Sequence, residues 1–264
     1  MNRPAYGYTP RPAHDPHRGV AYRASGGRAP VLPGVALDLR PLAPPARDQS
    51  HKGACTGFAG RGAVLGLVAA AERDGLWRGE RFDVSPDALY AEARYLDGTL
   101  SRDEGSTLAR LADVLSARGV PREDRFPYDP DVLSRRAPDE AWTRHRLVNV
   151  TPLRHDLDDL RAAFADCCPV VVGIPCYTGE RGIASQRAWE FGAVGMPSTA
   201  DDLDGWHAVT LWGHDPHTDA DLGGSLWVQN SWGGWAPRTN GIGTIPADYV
   251  VRLANELYAF GAVR

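Results

Sequence analysis

The feature of this 264-residue chain that most restricts its fold is a change of hydrophobic pattern near its middle. In the first half, apolar residues recur at helical spacing between helix start and stop signals. Phe58, Ala59, Ala63, Leu65, Leu67, Val68 and Ala70 predict a mostly buried helix from Cys55 to about Asp74. Ser85-Pro86-Asp87 supplies an N-cap, a proline at the first helical position and an acidic first turn, so a second helix is expected to about Leu96. Ser106 is the expected cap of a third, with Leu108, Leu111, Ala112 and Leu115 on one face and Gly119 just past its end. Asp156 opens a short helix through Phe164. From there the pattern is one of short apolar runs with Gly-rich connections: Val170 to Ile174, Ala208 to Trp212, Leu226 to Val228, the stretch 242–245, and Tyr258 to Val263. A short strand is also expected at Leu37 to Arg40. Helices followed by strands predict an α+β chain instead of an alternating α/β sheet.

The length fits one large domain or two fused lobes, and 43% hydrophobic with 23% charged residues supports a packed core. The charge balance, 29 basic against 33 acidic residues, gives −4 and offers no reason to expect nucleic acid or an anionic membrane as partner. No apolar run approaches the roughly 18 residues of a membrane span, and no signal-peptide pattern opens the chain. Residues 1–36 are rich in Pro, Arg, Gly and His; they are expected to run extended over a surface without a core of their own. Order is expected over 37–264, with a mainly helical lobe at about 50–150 and a β-rich lobe at about 151–264.

Three of the four cysteines, Cys167, Cys168 and Cys176, lie within ten residues, and Cys55 stands apart. This is neither a disulfide framework nor zinc-ligand spacing, so a reduced, cytoplasmic protein without a metal or other cofactor is expected. Cys55 sits where the loop Ser50-His51-Lys52-Gly53-Ala54 meets the first long helix. There, unpaired N–H groups and the positive dipole end favour a thiolate. The bland alternative is a small buried cysteine at the start of a core helix. Two distant pieces shift the balance. Gly205-Trp206-His207-Ala208-Val209 places a histidine at the entry to a strand, and Val228-Gln229-Asn230-Ser231-Trp232 places an asparagine at the end of the next. A nucleophile, a base and an orienter of the base are then all present. Trp232 would cover the His207–Asn230 bond.

With these pieces in order, the chain resembles the papain-like cysteine peptidases. The resemblance rests on Gln49 six residues before Cys55, on Gly53-Ala54-Cys55, on His207-Ala208-Val209 and on Asn230-Ser231-Trp232-Gly233, and it covers most of residues 37–250. It implies a papain-like α+β fold, a helical N-terminal lobe and an antiparallel, barrel-like C-terminal lobe with the active-site cleft between them. It implies a peptide or protein substrate, with Cys55 as nucleophile, His207 as its proton partner, Asn230 as orienter, and Gln49 with the Cys55 N–H as oxyanion hole. It also implies that Gly105 binds substrate backbone, that Ala208 and Met196 border the main apolar pocket, and that Trp232 is among the substrate-binding residues. Residues 1–36 would lie along or near the cleft and restrain activity. Two departures stand out. Lys52 replaces the family's usual disulfide-forming cysteine and would add positive charge near the thiolate; Thr56 replaces the usual tryptophan. Both suit a bacterial-type branch lacking disulfides.

Other readings carry less weight. A transglutaminase-like acyl transferase would usually have Asp where Asn230 stands, and a peptide-binding pseudoenzyme would not need all four site residues. His214-Asp215-Pro216-His217 reads as a surface turn before a metal site. Met196 is equally well a core residue, and His51 reads as a solvated loop residue. The segment Thr178 to Leu203, with four glycines, is expected as a loop over the cleft. Cys167 and Cys168 read as structural, and Cys176 is the other thiol expected to be exposed.

Overall fold

The computed structural model describes residues 5–12, 32, 34–133, 135–143 and 148–262. Most of the 1–36 segment, and Val263 in the final apolar run, lie outside the described residues.

Helix α1, Cys55–Arg73, is buried on almost every side over its first thirteen residues, as a sequence of small and apolar residues without a polar stripe demands. It rests on the sheet through Gly66, where any Cβ would come within 2.5 Å of the Trp212 ring. Its one buried charge, Arg61, is neutralised by a two-pronged bond to Asp83 at 2.7 and 3.0 Å. Helix α2, Pro86–Leu96, begins as its cap signals predict, with Ser85 Oγ accepting from Ala88 N–H at 3.0 Å. Helix α3 spans Leu108–Arg118 and is capped by Thr107, not by Ser106. Thr107 is the residue whose hydroxyl reaches N3, while Ser106 is drawn into backbone pairing with the N-terminal segment.

The strands are β1 (Leu37–Asp38), β2 (Val148–Pro152), β3 (Val170–Tyr177), β4 (Leu203–Asp215), β5 (Ser225–Gln229), β6 (Ile242–Pro246) and β7 (Glu256–Ala262). The remaining helices are α4 (Leu157–Ala165), α5 (Gln186–Phe191) and α6 (Ala247–Leu253). The strands pair antiparallel in the order β2-β7-β3-β4-β5-β6, with β1 added to β4. The α+β class is therefore as expected, but the barrel-like lobe is an open sheet. The outer edge of β6 is already taken by the chain at Gly192–Val194, which exchanges backbone bonds with Thr244, so β2 and β6 do not meet. The expected loop 178–203 contains α5.

Two cores result. One packs α1, α2 and α3 against Val171, Tyr258 and Phe260 of the sheet; the other fills the sheet's opposite side with Val172, Ile174, Leu211, Trp212, Leu226 and Trp235. Cys176, expected to be exposed, is fully buried in the second, because β3 is covered on both faces. Among the described residues no helix is long and apolar enough to cross a membrane.

Candidate active site

Cys55 is the first residue of α1, so its neighbours' N–H groups lack helical partners. Ala208 N–H, the amide directly after His207, points at its sulfur from 3.4 Å across the gap between the lobes. The N–H groups of Gly7 and Thr56 also point there. His207 lies within β4, inside the strand and not at its entry. Its Nε2 is 2.8 Å from Asn230 Oδ1, and Ser231 N–H donates to the same oxygen at 2.7 Å. Two donors converging on one atom fix the amide orientation, so Nε2 carries the proton and Nδ1 is left as the basic nitrogen. Nδ1 is buried and has no hydrogen-bond partner among the described residues. Trp232 stacks on the imidazole with ring centroids 4.5 Å apart, and Trp189 of α5 stacks on Trp232 at 6.0 Å.

Gln49 is also fully buried. Its Oε1 accepts from Ser231 Oγ at 2.6 Å, and its Nε2 donates to Lys52 O at 3.0 Å and to Ala5 O at 3.1 Å. The side chain is held by the Asn-Ser-Trp-Gly segment while its amide nitrogen faces a carbonyl near the thiol. Lys52 does not place charge beside the sulfur. Its ammonium is buried against the Asp87 carboxylate and donates to Asp129 O at 3.0 Å and Val132 O at 2.7 Å. The long side chain turns away from Cys55 because these three acceptors lie behind the loop.

The N-terminal residues 5–12 pass directly over these groups. Gly7 packs on Gly53 so closely that a Cβ there would sit 1.7 Å from Gly53 O. Gly7 O accepts from Ser106 N–H, and Thr9 N–H donates to Ser106 O, both at 2.9 Å. The residue that pairs with extended backbone is thus Ser106; Gly105, in a left-handed conformation with φ +78°, turns its N–H inward to Tyr90 Oη instead. Glu104, beside it, offers its carbonyl to Thr9 Oγ1 and its carboxylate to Arg102.

Tyr6 lies edge-on to Trp232, and its hydroxyl donates to Asp204 at 2.9 Å. Tyr8 fills a pocket of its own: its ring covers Gly173, whose Cβ position would be 2.3 Å from it, and its hydroxyl reaches Asn255 Oδ1 at 2.5 Å and Glu256 Oε2 at 2.9 Å. Ala208 belongs to the same buried cluster as Tyr8 and Cys55, whereas Met196 packs on the other core and does not join them. Sequence reasoning found the loop Asp103-Glu104-Gly105-Ser106 by its resemblance but chose Gly105 instead of Ser106. It missed Tyr8, Asn255 and Glu256, which meet only through contacts spanning more than two hundred residues and which no local motif marks.

Burial dominates the electrostatics. It pushes the Cys55 thiol up to about 12, against the pull of the Ala208, Gly7 and Thr56 N–H groups, while the Asp103 carboxylate pushes it further up. Burial likewise brings His207 down to about 4, against the Asn230 bond. The helix-terminus advantage expected for a thiolate is therefore outweighed in this closed state, where burial favours the neutral thiol and the neutral imidazole. Elsewhere, His214 is bonded to Arg161 and to Gly223 O, and His51 is exposed beside Asp131.

No family model matches the chain. It is 25% identical over 227 residues, 80% of its length and 68% of the relative's, to an uncharacterised peptidase C1-like protein of Acanthamoeba polyphaga mimivirus. Its structure resembles xylellain, a cysteine protease from Xylella fastidiosa, with a TM-score of 0.78 and 22% identity over 100% of this chain and 99% of that one. It also resembles procathepsin B S9 from Trypanosoma congolense, with a TM-score of 0.71 and 14% identity over 98% of this chain and 87% of that one. The fold is that of the papain-like cysteine proteases, and no disulfide joins the four cysteines.

Proposed function

We propose that this chain is a cysteine peptidase that cleaves peptide bonds with Cys55, His207, Asn230 and Gln49. The observation that carries the reading is the meeting of two lobes at one sulfur. Cys55 Sγ is bonded by the amide next to His207, and His207 is oriented by Asn230 so that its basic nitrogen remains unengaged. In the reaction, the Cys55 thiol passes its proton to His207 Nδ1 and the sulfur bonds to the substrate carbonyl carbon. Gln49 Nε2, which holds the Ala5 carbonyl here, stabilises the oxyanion. The carbon–nitrogen bond then breaks, His207 protonates the departing amine, and water hydrolyses the thioester. An asparagine in the third position argues against the transferase reading, since an amide holds the imidazole without the added charge of an aspartate. The site needs no metal or cofactor for these steps, and the absence of a disulfide supports placing the protein in the cytoplasm.

The N-terminal segment, in this reading, is an inhibitor built into the chain. It offers Gly7 N–H to the nucleophile instead of a carbonyl carbon, fills the Tyr8 pocket and dries the site. With the segment gone, water returns, the penalty on charge falls, and a thiolate–imidazolium pair becomes accessible. Truncation to residue 36 is expected to raise turnover and to move the alkylation profile of Cys55 to lower pH. In the full chain burial holds the thiol's pKa above its ordinary value, so its alkylation should accelerate at higher pH than in the truncated chain. Equal turnover and equal profiles in the two folded forms would refute the inhibitory role. For catalysis itself, Cys55→Ala is expected to lower kcat by on the order of 10⁵-fold or more on a peptide library; persistent cleavage by that variant would sink the assignment.

A further inference from the structure

A chain of polar contacts behind the cleft ties the nucleophile loop to the edge that binds extended backbone. Gly53 N–H, two residues before Cys55, donates to Asp103 Oδ2 at 2.8 Å. The other oxygen of that carboxylate accepts the Tyr90 hydroxyl at 2.5 Å, and Tyr90 Oη accepts Gly105 N–H at 3.1 Å. Tyr90 is fully buried on α2, with the Arg94 guanidinium 4.3 Å from its ring centroid. Arg94 is itself fixed by the carbonyls of Leu100, Arg102 and Leu133. With Gly105 N–H anchored inward, the N–H and C=O of the next residue, Ser106, are left facing the cleft, where they hold Gly7 and Thr9.

We propose that Asp103 and Tyr90 are positioning residues that set the Gly105–Ser106 edge at a fixed offset from the Cys55 sulfur, so that a backbone docked on Ser106 reaches the thiol in register. Asp103 acts on both ends of this relay with opposite consequences. Its bonds hold the docking edge, while its charge disfavours the thiolate. Among the described residues, Cys176 on β3 also feels the charge of the Cys55 sulfur, and His207 on β4 directly precedes the amide that points at it. Removing the charge of Asp103 therefore makes the thiol easier to ionise while docking weakens. A role confined to stabilising the fold would not produce that pair of effects.

The proposal uses the peptidase reading only for its kinetic arm, because the N-terminal segment is itself an extended backbone docked on Ser106. In the full chain, amide exchange of Ser106 and Thr9 followed by NMR should quicken about 3- to 10-fold in Tyr90→Phe and in Asp103→Asn, the effect of one neutral hydrogen bond. Both variants are near-isosteric, and circular dichroism checks that each is folded. In the full chain opened by Tyr8→Ala, adding Tyr90→Phe should raise KM by a similar factor with kcat within about twofold, and leave the alkylation profile of Cys55 in place. Adding Asp103→Asn should raise KM and move that profile to lower pH. Unchanged exchange of Ser106 and Thr9 in folded Tyr90→Phe overturns the relay. So does an unchanged KM on a cleaved peptide, or an alkylation profile that fails to move down in Asp103→Asn. If no peptide is cleaved, the peptidase reading fails while the exchange experiment still decides the relay.

Discussion

The two walls of the cleft are built by different means. The wall carrying His207 and Asn230 is held by strand register. β4 is flanked by β3 and β5, and Ile174 pairs with His207 and Thr210 with Gln229. The backbone ladder therefore places His207 and ends one residue before Asn230, whose own N–H is tied to Gly241 O at 3.0 Å. The wall carrying Cys55 and Gln49 has no ladder. Apart from one backbone bond, Gln49 N–H to Ser231 O at 2.8 Å, its loop is tied by single side chains, with Lys52 reaching to Asp87 and two carbonyls, Asp103 to Gly53, and Gln49 to Ser231. A wall made of backbone pairing tolerates loss of one side chain, whereas a wall made of buried polar ties does not.

This contrast can be broken by substitutions of graded severity. Lys52→Met leaves the Asp87 carboxylate buried with one fewer cation, and a urea titration is expected to show a loss of about 3–5 kcal/mol, as for other broken buried pairs. Arg135 also reaches Asp87, at 3.0 Å, which favours the lower end of that range. Gln49→Ala is expected to cost roughly 10²–10³ in kcat with little change in KM, the usual consequence of losing an oxyanion donor; steady-state kinetics of a truncated chain would check it. Tyr8→Phe leaves Asn255 and Glu256 without the hydroxyl that joins them to the N-terminal segment, a penalty of about 1–3 kcal/mol. Turnover of the full chain should rise accordingly, with no change once residues 1–36 are removed. On the register-held wall, Thr210→Val deletes a 3.0 Å bond to Ala59 O and should cost only about 1 kcal/mol. A loss at Thr210 equal to that at Lys52 would erase the distinction between the walls.

The same contrast accounts for what the amino-acid sequence made legible. α2 and α4 follow from caps and periodicity, and α1 from its run of small and apolar residues, because those signals are local; α2 runs to Leu96 and is capped by Ser85 as its sequence demands. The four residues Cys55, His207, Asn230 and Gln49 stood out through motif order; in the structure Asn230 bonds His207, Gln49 bonds Ser231 next to Asn230, and the amide after His207 points at the Cys55 sulfur. The expectations that failed depend on contacts across the chain. Ser106 and Thr107 are equally good caps on sequence, and the choice is made by Gly7 and Thr9 drawing Ser106 into pairing. Lys52 reads as a charge near a thiol until its acceptors at 87, 129 and 132 are located. The Tyr8 pocket depends on residues 247 and 248 positions away, which no spacing rule connects.

The central claim is that Cys55 becomes acylated by substrate during turnover. Its most direct test is to incubate the truncated chain with an activated peptide ester, quench in acid and map the adduct by mass spectrometry. The account predicts an acyl mass increment on the tryptic peptide containing Cys55, lost in Cys55→Ala and prolonged in Gln49→Ala. An acyl group on another residue, or hydrolysis that continues with Cys55 never modified, would contradict it.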